Sequence, residues 1–337
     1  MHFENELTRT LGIRHPLVMA PMFLISNEAM IKAAMSAGIL GCFPSLNYRE
    51  PEKLDALLAA LNEFHGSLPA GHGAYGVNLI VQKTNRWLEG HLKICVERKV
   101  PVYITSLGNP KVVIDAAHSY GAKVFCDVTN LAHAEKCHGM GCDGFVAVGQ
   151  GAGGHAGPFP TSLLVGTLRK HFPDKPVMAA GGISDGYGML SALACGASAA
   201  YCGTRFIASY ESSVSDEYVK AIIEAGMEDI VLTDRISGTP CTIINTPYAK
   251  KIGTHQNRVE RFLSNNPKTK KIFKMLVQKR GLNWLEKSLI PGNYQSLWCA
   301  GQSVELIENS KPVREIVDEM VQDLERAYAD LSGMHRL

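Results

Sequence analysis

The sequence predicts an α/β protein of the (β/α)8 TIM-barrel class with a C-terminal insertion or lid region. Three observations carry that expectation. Eight short runs rich in β-branched and apolar residues alternate with amphipathic stretches, the connections between them are a few residues long, and the most glycine-rich segment follows the sixth run rather than the first. Short strand-to-helix connections favour parallel strands joined by helical crossovers. An open doubly wound sheet is the runner-up, but a dinucleotide-binding sheet of that kind places its Gly-x-Gly-x-x-Gly after the first strand. At 337 residues, 46% of them hydrophobic, the chain can hold a barrel of roughly 250 residues plus an appendage.

The strand runs are Leu17 to Met19, Ile39 to Cys42, Tyr75 to Leu79, Val102 to Thr105, Lys123 to Asp127, Gly144 to Val148, Val177 to Ala180 and Ala199 to Cys202. Between them the pattern predicts helices over Asn27 to Ser36, Pro51 to Phe64, Asn85 to Glu97, Pro110 to Ser119, Leu131 to Gly139, Thr161 to His171 and Gly186 to Cys195. Asn27, Asn109 and Asp185 stand where an N-cap acceptor is wanted, and Gly38, Gly121 and Gly196 stand where a left-handed residue ends a helix. After Phe206 the pattern changes. Glu211 to Gly226 and Val313 to Leu331 read as helices, and Thr233 to Tyr248, with Gly238, Pro240 and Pro247, reads as an extended crossing. The expected division is a barrel over 1–210, an insertion or lid over 211–295, and a segment over 296–337 that returns to the barrel wall.

Composition excludes several partners. A formal net charge of +2, with no basic run longer than Lys268-Thr269-Lys270-Lys271, gives no electrostatic reason to expect nucleic acid or an anionic membrane. The N-terminus is polar and acidic rather than basic and then apolar, and no apolar segment approaches the roughly 20 residues that span a bilayer, so a soluble cytoplasmic protein is expected. The nine cysteines lack a Cys-x-x-Cys spacing and read as reduced thiols. Cys137, His138 and Cys142 fall where a helix ends and a buried strand begins, which points to core rather than to a metal site.

In a barrel, functional groups gather at the C-terminal ends of the strands. Ala20-Pro21-Met22, Asn78, Thr105-Ser106, Asp127, Gly149 to His155, Gly181-Gly182 and Gly203-Thr204 all fall there. The segment Gly149 to Gly157 sets five glycines around His155, the one titratable group among them. Glycine there suggests close backbone approach to a ligand, with His155 as general base or polar contact to substrate. Asn78 either bonds a ligand or caps its loop. Ala180-Gly181-Gly182 and Gly203-Thr204 close the seventh and eighth strands, the two positions at which many barrels hold a phosphate on bared backbone amides. A phosphorylated cofactor such as a flavin, or a phosphorylated sugar substrate, satisfies that arrangement. Hydrolytic triads, paired carboxylates and a Walker lysine are absent from these positions, so hydrolysis and phosphoryl transfer lack their machinery.

At these residues the chain resembles the nitronate monooxygenase family, once called 2-nitropropane dioxygenases, a group of FMN-binding β/α barrels. The resemblance begins at His15-Pro16-Leu17-Val18-Met19-Ala20-Pro21-Met22 and continues through Gly76-Val77-Asn78-Leu79 and the Ala-Gly-Gly-His-x-Gly signature of Ala152 to Gly157. It is strongest from Ala179 to Phe206 and resumes at Ala300-Gly301-Gln302-Ser303. It implies FMN at the barrel mouth, its phosphate on Gly181, Gly182, Gly203 and Thr204, with Ala20, Pro21, Met22, Asn78, Asp127, Gly153, Gly154 and Ala180 completing the cofactor shell and His155 as the active-site histidine. The activity implied is oxidation of an alkyl nitronate, with O2, to a carbonyl compound and nitrite. The same signature belongs to NAD(P)H-dependent FMN enoyl-acyl-carrier-protein and quinone reductases, and a regulatory FMN- or phosphometabolite-binding protein is the non-enzymatic alternative. Three departures stand out. Gly151 and Val148 replace a glutamate and a glutamine or glutamate found in many relatives, and Asp127 places a carboxyl where a reduced flavin would gain negative charge.

Overall fold

The computed structural model describes residues 3–69, 71–236, 238–266, 269–289 and 296–334. Its strands are β1 (Leu17–Met19), β2 (Leu40–Pro44), β3 (Ala74–Ile80), β4 (Val102–Ser106), β5 (Lys123–Val128), β6 (Gly144–Val148), β7 (Gly154–His155), β8 (Val177–Ala180), β9 (Ala199–Cys202), β10 (Ile230–Thr233) and β11 (Cys241–Ile244). Its helices are α1 (Glu6–Leu11), α2 (Glu28–Ser36), α3 (Pro51–Ser67), α4 (Leu88–Glu97), α5 (Lys111–His118), α6 (Leu131–Gly139), α7 (Thr161–His171) and α8 (Gly186–Ala194), then α9 (Thr204–Ile207), α10 (Asp216–Glu224), α11 (Pro247–Ile252), α12 (Arg258–Asn265), α13 (Lys270–Ser288) and α14 (Val313–Gly333).

Eight parallel strands, β1 to β6 followed by β8 and β9, close into a barrel when β9 pairs with β1. This is the (β/α)8 architecture, and all eight predicted runs lie in it. They were conspicuous because a barrel strand is covered on both faces, by helices outside and by side chains inside, so apolar residues run on without alternation. The inward set, Val18, Leu40, Ala74, Val102, Ile104, Phe125, Val146, Met178, Ala199 and Tyr201, forms one packed cluster. Leu7, Leu11 and Ile13 join it and plug the bottom of the barrel. Their helix α1 starts with a capping box between Asn5 and Thr8, and the Asn5 amide donates to the Ser198 carbonyl at 2.7 Å.

Asn27 and Asp185 cap α2 and α8 as expected, and Gly38, Gly121 and Gly196 adopt φ of 83°, 87° and 98°. Asn109 differs. The cap position of α5 is Pro110, and Asn109 instead accepts from the Lys111 N–H at 2.9 Å as a turn residue. Beyond the barrel, the helix expected over Glu211 to Gly226 is shorter, with Ser215 as its cap. The extended crossing is an antiparallel pair, β10 with β11, and β11 also pairs with the two-residue strand β7 from the His155 loop. The final helix α14 packs on α2 and α8. Among the described residues no helix is long and apolar enough to cross a membrane.

Candidate active site

Strand alternation decides which residues face the barrel mouth. On β5, Phe125 lies in the inner cluster, so Asp127, two residues on, shares its face; Asn78 and Ser106 take the matching positions on β3 and β4. These three form a continuous polar chain. The Asn78 Nδ2 donates to Ser106 Oγ at 2.7 Å and to the Ile104 carbonyl at 3.2 Å, and Ser106 Oγ donates to Asp127 Oδ2 at 2.5 Å. Asp127 Oδ1 is buried without a hydrogen-bond partner. Burial pushes the Asp127 carboxyl up to about 6, against the opposing pull of the Ser106 hydrogen bond. The effect reaches its neighbours, since Tyr201 and Cys42 are pushed up first by their own burial and then by the Asp127 charge.

The glycines of the His155 loop allow close packing of loop on loop. A Cβ on Gly151 would stand 2.9 Å from the Gly182 nitrogen, one on Gly181 would stand 2.7 Å from the Ala152 nitrogen, and one on Gly153 would stand 2.9 Å from the Gly301 nitrogen. Gly149 and Gly157 meet Thr161 and the Val148 carbonyl more closely still. These positions serve the approach of loop to loop, and the Gly182 N–H donates to the Gly151 carbonyl at 3.2 Å. A side chain at 151 would need the 181–182 turn to shift. Gly154 and Gly182 differ from the rest. They adopt φ of 73° and 77°, and nothing lies within 4 Å of where a Cβ would project, so open space adjoins both.

The remaining expected residues converge by pairs. A Cβ on Gly203 would be in ordinary contact with Ala20 and Met22 at 3.7 Å, and the Met22 N–H donates to Ser26 Oγ at 2.9 Å, holding the Ala20-Pro21-Met22 turn. Thr204 is buried, and its Oγ1 accepts from the Gly301 N–H at 3.0 Å. Thr161 Oγ1 donates to the Ala180 and Gly181 carbonyls at 3.4 and 3.2 Å. His155 is exposed on β7, with Cys241 as its strand partner, and Thr242 Oγ1 fixes the approach to it by donating to the Ala152 carbonyl at 2.6 Å. Ser106 and Gly301 are the residues whose part the sequence understated. Ser106 shows its role only once β3, β4 and β5 are side by side, and Gly301 only once its neighbour across space is known to be Gly153.

Comparison with known proteins follows this geometry. The family model described as "Nitronate monooxygenase" matches residues 46–323. The (3aS,4S,5R,7aS)-5-hydroxy-7a-methyl-1-oxo-octahydro-1H-indene-4-carboxyl-CoA dehydrogenase of Mycobacterium tuberculosis is 26% identical, over 96% of this chain and 96% of that protein. A protein of Staphylococcus saprophyticus named "Probable nitronate monooxygenase" is 25% identical, over 92% and 94%. Among solved structures, FabK from Thermotoga maritima superposes with a TM-score of 0.83 at 30% identity, covering 98% of this chain and 99% of that one.

Proposed function

Because the chain belongs to the nitronate monooxygenase family and is a flavin-type oxidoreductase, we propose that it is an FMN-dependent enzyme that oxidises an alkyl nitronate with O2. Its membership of a family of enzymes sets aside the reading as a regulatory binding protein. The residues present fit a flavin mononucleotide by two observations. Asp127 Oδ1 is a buried polar atom in want of a donor, and the turns at Gly154 and Gly182 leave open space beside backbone that no side chain fills. Gly181, Gly182, Gly203 and Thr204 would hold the phosphate, and Ala20, Pro21, Met22, Asn78, Asp127, Gly153, Gly154 and Ala180 would line the rest. FMN, when bound, supplies the electron acceptance that amino-acid side chains lack.

The protein's own groups do the rest. Asn78 is held by Ser106 and by the Ile104 carbonyl, so its amide presents a fixed edge to the mouth. Asp127 changes charge near pH 6, and below that value it is a neutral donor rather than a charge opposed to an anionic ligand. His155, exposed at the rim and fixed through β11, orients the anionic substrate. The single observation that carries the reading is this convergence of the histidine loop, both phosphate-type turns and the Asn78-Ser106-Asp127 chain at one end of the barrel.

A second reading is hydride transfer from NAD(P)H to an unsaturated thioester. It is favoured by the 30% identity to FabK, by the carboxyl-CoA dehydrogenase relative, and by charge: positions 247–287 carry eleven lysines and arginines against Glu260 and Glu286, a composition suited to a phosphate-bearing substrate. Anaerobic mixing of the flavin-loaded protein decides between them. Bleaching of the flavin by an alkyl nitronate alone supports the first reading, and bleaching only by NADH or NADPH replaces it with the second.

A further inference from the structure

Cys241 and Cys299 lie where the strand carrying His155 is stitched to the rest of the rim. Cys241 opens β11 and is the register partner of His155, while Cys299 bridges Ile243 two residues along the same strand. Diagonal positions on an antiparallel pair share a face, and the two Sγ atoms stand 4.0 Å apart, both as free thiols. The backbone at Cys299 is anchored, since Tyr218 Oη donates to its carbonyl at 2.6 Å. Two residues on, Gly301 abuts Gly153 and donates to Thr204 Oγ1. A covalent link between these sulfurs would therefore join β11 to a segment that already touches the His155 loop.

We propose that Cys241 and Cys299 form an oxidisable dithiol, a modification site that closes to a disulfide under a hydroperoxide and stiffens the loop that carries His155. The first step is attack by one thiolate on the peroxide oxygen, which breaks the O–O bond, forms a sulfenic acid and releases water or the corresponding alcohol. The second thiol then displaces water from that sulfenic sulfur. In total two thiols lose two electrons and two protons, and the hydroperoxide takes them up. The assignment of roles follows from the access of each sulfur. Cys299 is part-exposed, so a peroxide reaches it, whereas Cys241 is buried. Cys299 is the attacking thiol and Cys241 the resolving one. Closure asks the sulfurs to move from 4.0 Å to bonding distance, about 2.05 Å, and, because diagonal cross-strand positions are spaced wider than a relaxed disulfide, it draws β11 and the Cys299 segment together. Cys126 and Cys137, whose thiols are shifted upward, lie near Cys142 and serve as an internal comparison.

The test uses the full-length, flavin-loaded wild-type protein, treated with hydrogen peroxide and then alkylated with iodoacetamide. Non-reducing peptide mass spectrometry is expected to find the Cys241 and Cys299 peptides joined, two hydrogens lighter than their sum, before Cys126, Cys137 or Cys142 is lost, and dithiothreitol is expected to restore both thiols. Hydrogen exchange at residues 152–157 should slow several-fold in the oxidised protein. Separate alkylation of Cys241 and Cys299 after the other cysteines have reacted would overturn the dithiol. A cross-link without altered exchange at 152–157 would overturn its connection to His155. Cys299→Ser, which leaves no partner, should give no cross-link. None of these readouts depends on the identity of the substrate.

Discussion

Asp127 is the residue at which chemistry and stability oppose each other. Its carboxyl is pushed up to about 6 by burial, from an ordinary value of 3.8, so the folded protein holds that proton more tightly than the unfolded chain does. Stability from this group is complete below about pH 4 and is lost as pH rises through about 6. Asp127→Asn should accordingly resist urea better than wild type at pH 8, by about 2–3 kcal/mol in flavin-free protein, with the gap closing toward pH 4. Equal gaps at both ends would show that the carboxyl is not desolvated. His155 calls for a kinetic test. His155→Ala, with flavin retained, should lose on the order of 10²-fold or more in turnover of whichever substrate bleaches the wild-type flavin, and full turnover would remove the histidine from the chemistry. His155 and Asn78 were legible as candidates because polar residues at strand exits are chemically conspicuous. Ser106 was legible as a strand-exit residue, but not its role, which is to join two other side chains, Asn78 and Asp127, that lie 49 positions apart in the chain.

At the scale of elements, local physics wrote the barrel into the sequence: strands covered on both faces read as apolar runs, and helix ends read as Asn or Asp before and Gly after. What remained hidden was contact between elements. The two-residue strand β7 has no periodicity to detect, and β11 finds it across 86 residues. The packing of Gly149, Gly151 and Gly153 against Thr161, Gly182 and Gly301 was hidden because sequence shows only that bulk is forbidden, not what forbids it. Gly186 makes the same point with a measurable consequence. A Cβ there would stand 2.0 Å from the Leu324 nitrogen and 2.4 Å from the Met320 carbonyl oxygen, both on the backbone of α14, so neither can yield by a rotamer change. Gly186→Ala is expected to cost about 3 kcal/mol or more in urea denaturation, by forcing α14 off the barrel wall. Gly66→Ala, in α3 with nothing within 4 Å, is the matched comparison and should gain about 0.5–1 kcal/mol. A similar loss at both sites would mean that α14 does not depend on close approach at Gly186.

For the molecule as a whole, the question is how the described residues that follow the barrel, expected as an insertion or lid, are held to it. The pairing of β11 with β7 ties β10 and β11 to the barrel's own loop, and the Ile244 N–H donates to the Trp298 carbonyl at 2.9 Å, so this sheet behaves as rim rather than lid. The helical pair α12 and α13 is held differently. Glu260 of α12 lies between Arg280 of α13 at 2.9 Å and Arg235, just past β10, at 3.6 Å, and Trp284 and Leu285 of α13 pack against Ile236, Cys241 and Ile243, so the pair is seated on the rim sheet; toward the barrel, Glu286 pairs with Arg49 beyond β2, and Gln278 donates to Gln82 beyond β3 at 3.4 Å. Arg49 and Glu286 are more than a third exposed, so their ion pair contributes no more than about 1 kcal/mol and weakens as salt rises. We propose that this barrel-side contact, resting on so small a term, opens without unfolding the barrel while the packing of α13 on the rim persists. Hydrogen exchange should therefore be faster over α12 (258–265) and α13 (270–288) than over 230–244, and Glu286→Gln should speed it roughly 2–5-fold in these helices while leaving 230–244 unchanged. Raising salt should act on wild type in the same direction and do little to the variant. Exchange that quickened equally in both segments would mean that lid and rim open as one body, and the strand that carries His155 would then move with every opening of the mouth.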